Sequence, residues 1–396
     1  MKLKQENIFK SEPLKTECLA LVQEFADNSP DFFRILDKED EQSEIQDFAD
    51  KNRYKWKNIV ICGIGGSALG TKAVLSATGK GANITILETI NQDEISKILK
   101  KDISKTLFVF ISKSGGTLET VSQYFFFRNL IEEKGLKFKD HAIFITGDTG
   151  YFREISDTEG AISFEVPDEV SGRFSVFTSV GLVPLAFAGV SIKTLIKGAK
   201  KARKNALLKN NKNTALKMAL AEHESKRSIS VMFLYSDKLY DAGRFWRQLL
   251  AESIGKTPET DITPHICIGT REQHSDLQLF IEGADNKLYT FIQEDFDKKI
   301  KLPEIKDKDY SYLSGKTFQK LLNTSLIGTS SSLLEQSKPV QFVNISKINT
   351  ESIAELLFTF EAEIAYLGKI LNLNTFNQPG VERGKHITKE ILKNEK

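Results

Sequence analysis

Cysteine and histidine are scarce in this sequence, and no motif groups them. Its 396 residues include three cysteines and five histidines. The cysteines, Cys18, Cys62 and Cys267, form no CxxC pair, and no histidine–cysteine cluster has the spacing of a metal site. Because Cys62 and Cys267 lie inside apolar runs, we expect buried, reduced thiols there. We also expect neither a metal nor a cofactor.

The sequence also lacks long apolar runs and an excess of charge of either sign. No stretch approaches the roughly 20 apolar residues of a transmembrane helix, and the first residues lack the apolar core of a signal peptide. With 55 basic and 53 acidic residues, the net charge of +2 excludes a general attraction to nucleic acid or membrane. We therefore expect a cytoplasmic, globular protein, long enough for two domains, in which any preference for anions is local.

Short apolar runs alternate with helical patterns in two separate stretches of the chain. The predicted strands of the first stretch are residues 58–62, 84–87, 107–111, 142–146 and 162–166, with helices at 67–78 and 117–134. Those of the second are 229–235, 265–268, 288–293 and 340–345, with helices at 240–254, 319–336 and 353–371. Strands that are apolar throughout are typical of parallel sheets covered on both faces. The pattern predicts an α/β fold of two doubly wound, mainly parallel-sheet domains flanked by helices.

Composition places boundaries around these two units. We predict a polar, helical N-terminal arm at residues 1–50, a first domain at 51–190, a second at 191–350 and a C-terminal helical segment at 351–396. Residues 193–217, rich in lysine and asparagine, are predicted to form an exposed helix and connector. Such a charge run is also typical of plain surface.

Two loops rich in small residues follow predicted strands and precede predicted helices. In the first, residues 63–70, Gly66 lets the backbone approach a ligand and Ser67 can cap the helix. A tight turn without a ligand explains this loop equally well. The loop meets the spacing of a dinucleotide fingerprint only loosely, and it is no Walker A motif.

The second loop, residues 112–117, is the better candidate for an anion site. Its hydroxyls Ser112, Ser114 and Thr117 and the amides at the start of the next helix form a receptacle suited to a phosphate dianion. Serine and threonine also cap helices without binding anything, but three hydroxyls exceed the needs of one cap. We therefore favour phosphate binding.

Four charged residues could carry chemistry, and each also has a plain structural explanation. Glu252 lies four residues after Gln248 at the edge of an apolar helix stripe, where a half-desolvated carboxylate suits a base; taken alone, an ordinary exposed glutamate is the better explanation. His274, where a loop enters a helix, suits proton relay or is a surface histidine. Arg173, before an apolar helix, could face an oxyanion or pair with a surface carboxylate. Lys385, near a lysine-rich tail, is in isolation a solvated lysine.

Segment 376–385, Phe-Asn-Gln-Pro-Gly-Val-Glu-Arg-Gly-Lys, joins these residues into one pattern. With five other segments it resembles the phosphoglucose isomerase family, which is built from two sugar isomerase (SIS) domains; those segments are 63–70, 112–117, 172–181, 248–256 and 273–283. The matches occur in order through most of the chain. The motif Asn-Gln-x-Gly-Val-Glu-x-x-Lys is the most specific, and Gly-Arg-Phe-Ser at 172–175 is second.

The resemblance implies the reversible isomerisation of glucose 6-phosphate to fructose 6-phosphate, without a metal. Glu252 resembles the base that moves a proton between C2 and C1 of the open-chain sugar, and Arg173 the arginine that stabilises the cis-enediolate. His274 and Lys385 resemble the pair that opens the sugar ring. The other matching positions are Ser112, Lys113, Ser114 and Thr117 for the phosphate, and Gly66, Ser67 and Gln248 for the sugar. In the family the histidine comes from a neighbouring subunit, which implies a homodimer.

Two positions depart from the family pattern, Ser171 in place of glycine and Asn377 in place of aspartate. They bear on fine geometry more than on function. Two alternatives stay open. One is a non-catalytic sugar-phosphate sensor, which would leave the four charged residues unexplained and for which the sequence offers no basic helix-turn-helix. The other is an isomerase that also accepts mannose 6-phosphate.

Overall fold

The computed structural model describes residues 1–7, 16–295 and 299–395. Within these ranges the chain forms two five-stranded sheets. The strands are β1 (Lys2–Glu6), β2 (Asn58–Cys62), β3 (Ile84–Leu87), β4 (Thr106–Ser112), β5 (Ala142–Thr146), β6 (Ile162–Glu165), β7 (Ile229–Tyr235), β8 (Thr263–Ile268), β9 (Lys287–Glu294) and β10 (Val340–Ile345).

Helices surround both sheets. They are α1 (Thr16–Asp27), α2 (Asp31–Arg34), α3 (Glu39–Asn52), α4 (Leu69–Thr78), α5 (Gln92–Leu99), α6 (Leu118–Glu133), α7 (Tyr151–Glu159), α8 (Ser179–Phe187), α9 (Ile192–Ala206), α10 (Thr214–Ser225), α11 (Tyr240–Ile254), α12 (Leu277–Glu282), α13 (Phe318–Glu335), α14 (Thr350–Ile370) and α15 (Glu382–Asn394). None of the helices in the described ranges is both long enough and apolar enough to cross a membrane.

The first sheet has the strand order β3-β2-β4-β5-β6, and all of its neighbouring strands are parallel. Its central strand β4 is buried along its whole length, because helices cover both faces. Such a strand needs no polar alternation, and this explains why the apolar runs of the sequence locate the sheet well. The predicted α/β fold with parallel sheets is confirmed.

The second sheet has the order β1-β10-β9-β7-β8. Four of its strands are parallel, and β1 pairs antiparallel with β10, with Lys2 opposite Asn344. The prediction of a wholly helical arm at residues 1–50 is therefore wrong, because residues 2–6 form the edge strand of the second sheet. Residues 8–15 of the predicted arm lie outside the described residues, and α1, α2 and α3 follow them.

Helix α14 joins the two halves of the molecule. Each of its residues from 353 to 368 is buried, and the helix packs against α4, α9, α10 and α11. Buried side chains from both sheets and from this helix form one continuous apolar cluster. The C-terminal segment predicted at 351–396 therefore begins as a central core helix, and only its end, α15, is exposed along its length.

The prediction that residues 193–217 form an exposed helix is also wrong. Helix α9 buries Leu195, Ile196, Ala199 and Ala202, which recur at helical spacing on the face that meets α14. Its lysines occupy the opposite face and pair with acidic residues of α14; Lys201, for example, lies 2.9 Å from Glu355. The charge run is the solvated side of a core helix.

Candidate active site

A glycine-rich turn after β2 brings the first sheet against α11 of the second half. Gly65 has a φ of +60°, a conformation that favours glycine. A Cβ added at Gly66 would lie 2.1 Å from the carbonyl oxygen of Gly172, and one at Gly65 would lie 2.9 Å from Nε2 of Gln248. The absence of side chains thus lets the turn approach both the Gly172 turn and α11. Ser67 does not cap the next helix, because α4 begins at an N-cap of Ala68 without a side-chain hydrogen bond.

The loop after β4 presents its hydroxyls without using them as helix caps. Ser112 Oγ and Thr117 Oγ1 share a hydrogen bond of 2.9 Å. Thr117 is the N-cap residue of α6, yet its side chain accepts no hydrogen bond from the helix amides. The amide of Gly116 donates to Ser114 Oγ at 3.4 Å. This loop therefore retains hydroxyl groups and a helix N-terminus that suit an oxyanion.

Lys113 is directed away from these hydroxyls. Its Nζ donates to the carbonyl oxygens of Asp168 at 2.6 Å and Val170 at 3.2 Å. It also lies 3.8 Å from the Asp168 carboxylate. In this structure Lys113 ties the phosphate loop to the segment that precedes Arg173.

The Arg173 guanidinium is buried and fully engaged by protein groups. Nε donates to Ser253 Oγ at 2.7 Å, and Nη1 donates to Gln378 Oε1 at 3.0 Å. Nη2 donates to the carbonyl oxygens of Thr375 and Asn377. Burial lowers the pKa of Arg173, and the nearby Glu252 carboxylate opposes that effect. Arg173 thus clamps residues 375–378 against α11.

Glu252 lies beside this clamp. Its Oε1 is 3.5 Å from Arg173 Nη1, and its Oε2 accepts a hydrogen bond of 2.9 Å from Gln248 Nε2, one helical turn earlier. The Glu252 side chain is 24% exposed, whereas that of Arg173 is 2% exposed. The carboxylate therefore has a fixed orientation, a cation on one side and access to a ligand.

The predictions missed several residues that complete this cluster. Lys256 Nζ donates to the carbonyl oxygen of Glu252 at 2.8 Å and also to that of Asn377. Burial lowers the pKa of Lys256, with Arg173 as a second cause. The spacing of four residues between Glu252 and Lys256 was an available signal. No signal pointed to Ser253 or Thr375, because their roles depend on contacts between distant parts of the chain.

Two of the predicted residues do not join the cluster. His274 is exposed in the 3₁₀ turn Arg271–His274, and Lys385 lies on exposed α15, where Nζ pairs with Glu382 at 2.8 Å. Within the described residues, neither makes a hydrogen bond or an ion pair with Glu252 or Arg173. A single chain therefore unites the loop at Gly66 with Gln248, Glu252 and Arg173, and it leaves His274 and Lys385 apart from them.

Parallel sheets with a hydroxyl-rich loop at a strand end, and a carboxylate held beside a buried guanidinium, define the class of SIS-type sugar-phosphate isomerases. The sequence profile of the family described as phosphoglucose isomerase matches residues 38–396. The chain belongs to the phosphoglucose isomerase family.

Curated relatives agree with this assignment. A probable glucose-6-phosphate isomerase of Methanococcus maripaludis is 34% identical over 366 residues, which cover 88% of this chain and 82% of the relative. A glucose-6-phosphate isomerase of Campylobacter jejuni is 34% identical, covering 85% of each chain. Among solved structures, a hypothetical protein from Thermus thermophilus matches with a TM-score of 0.87 and 31% identity, covering 95% of this chain and 94% of that one.

Proposed function

We propose that this chain interconverts glucose 6-phosphate and fructose 6-phosphate through ring opening and a cis-enediolate, the reaction for which its relatives are named. One observation carries the assignment of residues: the Glu252 carboxylate is held by Gln248 next to the Arg173 guanidinium. An aldose–ketose isomerisation needs a base that reaches both C1 and C2 and a cation beside the oxygen that becomes negative.

Glu252 is the base in this proposal. It removes the proton from C2 of the open-chain aldose and returns it to C1, so that the same carboxylate serves both half-reactions. The hydrogen bond from Gln248 fixes Oε2, and the reacting proton is therefore assigned to Oε1. Preorganisation of this kind reduces the reorganisation needed at the moment of transfer.

Arg173 supplies the charge that stabilises the enediolate. All of its nitrogen atoms donate to protein groups, and the contact from Nη1 to Glu252, 3.5 Å, is the longest of the set. We therefore assign the Nη1 side of the guanidinium to the developing oxyanion. The other contacts keep the charge in place.

The phosphate group anchors the substrate away from the reacting carbons. Ser112, Ser114 and Thr117 hold the phosphate, and Gly66 and Ser67 line the sugar; Lys113 supports the loop through its contacts with Asp168 and Val170. Such remote binding energy orients the reacting end of the sugar. The proposal keeps the first domain at 51–190 and the second at 191–350.

A second copy of the chain completes the site. His274 comes from the partner subunit and acts with Lys385 in ring opening, as the family resemblance implies. Exposure supports this: His274 is exposed, and α15 leaves Ile387, Ile391 and Leu392 uncovered, an apolar surface that favours contact with another molecule. The proposal further includes a cytoplasmic location and a place in glycolysis and gluconeogenesis.

A coupled assay with fructose 6-phosphate tests the base. We expect Glu252→Gln to lose turnover by about 10²–10⁴-fold, the usual contribution of a general base, while a sugar-phosphate inhibitor still binds. Glu259→Gln, on an exposed 3₁₀ turn a short distance along the chain, is the matched control and should keep wild-type turnover. Near-normal turnover of Glu252→Gln would remove the proposed base.

Mixing two inactive variants tests the shared site. If each site uses Glu252 from one chain and His274 from the other, a mixture of Glu252→Gln and His274→Ala subunits, after exchange, contains heterodimers with one intact site each. Random pairing then restores about a quarter of wild-type activity. A mixture that stays inactive while exchange is demonstrated shows that both residues act within one chain.

A further inference from the structure

A histidine, a cysteine and an aspartate converge at the outer edge of the second sheet. His265 and Cys267 lie two residues apart on edge strand β8, so their side chains share one face. Asp276 reaches the same point from the turn before α12. Its Oδ2 is 2.8 Å from His265 Nε2 and 3.5 Å from Cys267 Sγ, and the three donor atoms lie within 4.8 Å of one another.

We propose that His265, Cys267 and Asp276 bind a divalent metal ion of the Zn²⁺ type. Imidazole, thiolate and carboxylate are the ligands that Zn²⁺ takes in proteins. Metal–ligand bonds of about 2.0–2.3 Å at tetrahedral angles separate neighbouring ligand atoms by about 3.3–3.7 Å. The sulfur–oxygen separation of 3.5 Å already fits. The nitrogen–oxygen separation needs to lengthen by about half an ångström, when the metal replaces their shared proton.

The surroundings suit a bound cation with an open coordination position. The His265 side chain is 46% exposed and that of Asp276 is 26% exposed, whereas Cys267 is buried. Solvent therefore reaches the site on the histidine side, where a water can be the fourth ligand. Glu272 adds negative charge next to Cys267, and Ser275 hydrogen-bonds the Asp276 carboxylate, as outer partners do for metal ligands.

An ion pair or a reactive thiol accounts for less of the cluster. A histidine–aspartate ion pair explains two of the residues but not the placement of a thiol against the same carboxylate oxygen. A reactive thiol is disfavoured, because burial and the neighbouring Asp276 carboxylate raise the pKa of Cys267, and reactive cysteines have a lowered pKa. A metal explains all three side chains together.

The site would fasten the turn that carries His274. The metal joins β8 to Asp276, and the 3₁₀ turn Arg271–His274 lies between these two attachment points. The metal site does not depend on the isomerase reaction. The consequence for His274 rests on the proposed function, in which this residue takes part in ring opening.

Cobalt binding tests the site directly. The purified full-length protein is stripped with a chelator and titrated with Co²⁺, whose bond to a thiolate gives a charge-transfer absorption in the near ultraviolet. We expect one Co²⁺ per chain, with the absorption displaced by Zn²⁺. Loss of an outer-shell partner already costs about 10–100-fold in metal affinity, so His265→Asn, which removes a ligand, should cost at least about 100-fold.

Matched variants separate this proposal from incidental binding. Cys267→Ser should abolish the absorption, and Cys62→Ala, at a buried thiol of the first sheet, should retain it. His265 is exposed enough to be replaced without disturbing the fold, which circular dichroism checks. Absence of the absorption in the wild type, or equal affinity of His265→Asn, would overturn the metal site and leave the ion pair as its explanation.

Isomerase assays of the same samples test the consequence for His274. Stripped protein should turn over the closed-ring substrate more slowly, and Zn²⁺ should restore the rate in the wild type but not in His265→Asn. A rate that is independent of Zn²⁺, in protein that binds Co²⁺, refutes the positioning of His274 and leaves the metal site standing. Inactive protein that still shows the Co²⁺ absorption indicates a failure of the proposed function instead.

Discussion

Replacing Arg173 by lysine separates two roles that the structure gives to one side chain. The guanidinium donates three hydrogen bonds to residues 375–378, and Nη1 also faces Glu252 at 3.5 Å. Lysine keeps the charge but concentrates its donors on one nitrogen, so it cannot span these acceptors. Losing two hydrogen bonds from a charged donor, at about 1.5–3 kcal/mol each, should lower the free energy of unfolding by about 3–6 kcal/mol. Displacement of the charge from the enediolate should lower kcat by about 10²–10³-fold.

Urea unfolding and steady-state kinetics measure the two effects independently. Arg34→Lys is the control, because Arg34 is an exposed arginine that pairs with Asp31 on the surface; it should change neither quantity appreciably. A loss of stability in Arg173→Lys with unchanged kcat would show that Arg173 is a clamp alone. Unchanged stability would contradict the interpretation of its contacts as a clamp.

Two further predictions concern the phosphate loop and the core. Thr117→Val should raise KM about tenfold, the effect of losing roughly one hydrogen bond to a charged group, with a smaller change in kcat; steady-state kinetics check this against Ser122→Ala, an exposed hydroxyl of α6 that bonds only its own helix backbone. Burial raises the pKa of Glu222 to about 7, above the value of about 4.3 expected in the unfolded chain, so folding takes up a proton between these pH values and stability falls as pH rises through that window, by up to about 3 kcal/mol. Glu222→Gln, which can keep the hydrogen bond from Ser230, should flatten this dependence in urea unfolding at pH 5 and pH 8; the same pH dependence in variant and wild type would contradict it.

The sheets could be predicted from the sequence because their strands are buried on both faces. The apolar runs at Asn58–Cys62 and Val340–Ile345 have the same bounds as the strands themselves. A strand covered on both sides carries its signal in every residue, so the run and the element coincide.

Elements without such a signal escaped prediction. Strand β1, Lys-Leu-Lys-Gln-Glu, lies at a sheet edge and is held by backbone pairing with β10, which any sequence can make. Helix α9 does carry an apolar stripe, but its many lysines hide the stripe from an interpretation based on charge. In both cases the partner element, rather than local composition, determines where the segment lies.

The site shows the same division between chemistry and placement. The types of the reacting groups identified Glu252, Gln248 and Arg173 as candidates, and the fold brings them together. The acceptors of Arg173 could not be inferred, because two of them are backbone carbonyls and Gln378 is 205 residues away. For the same reason the sequence did not reveal that Lys113 is directed at the backbone of residues 168–170, or that Asp276 meets His265 and Cys267.

The contacts of Arg173 suggest an order of assembly for the reaction. Arg173 and Lys256 both donate to the carbonyl oxygen of Asn377, so the start of the C-terminal segment is fixed by the same cations that surround the base. Eight residues later, Lys385 stands on an exposed helix, paired only with its neighbour Glu382 among the described residues. The groups for proton transfer are thus preorganised within one chain, whereas the groups assigned to ring opening lie on exposed segments. Subunit association should therefore affect turnover of the closed ring more strongly than turnover of the open-chain sugar.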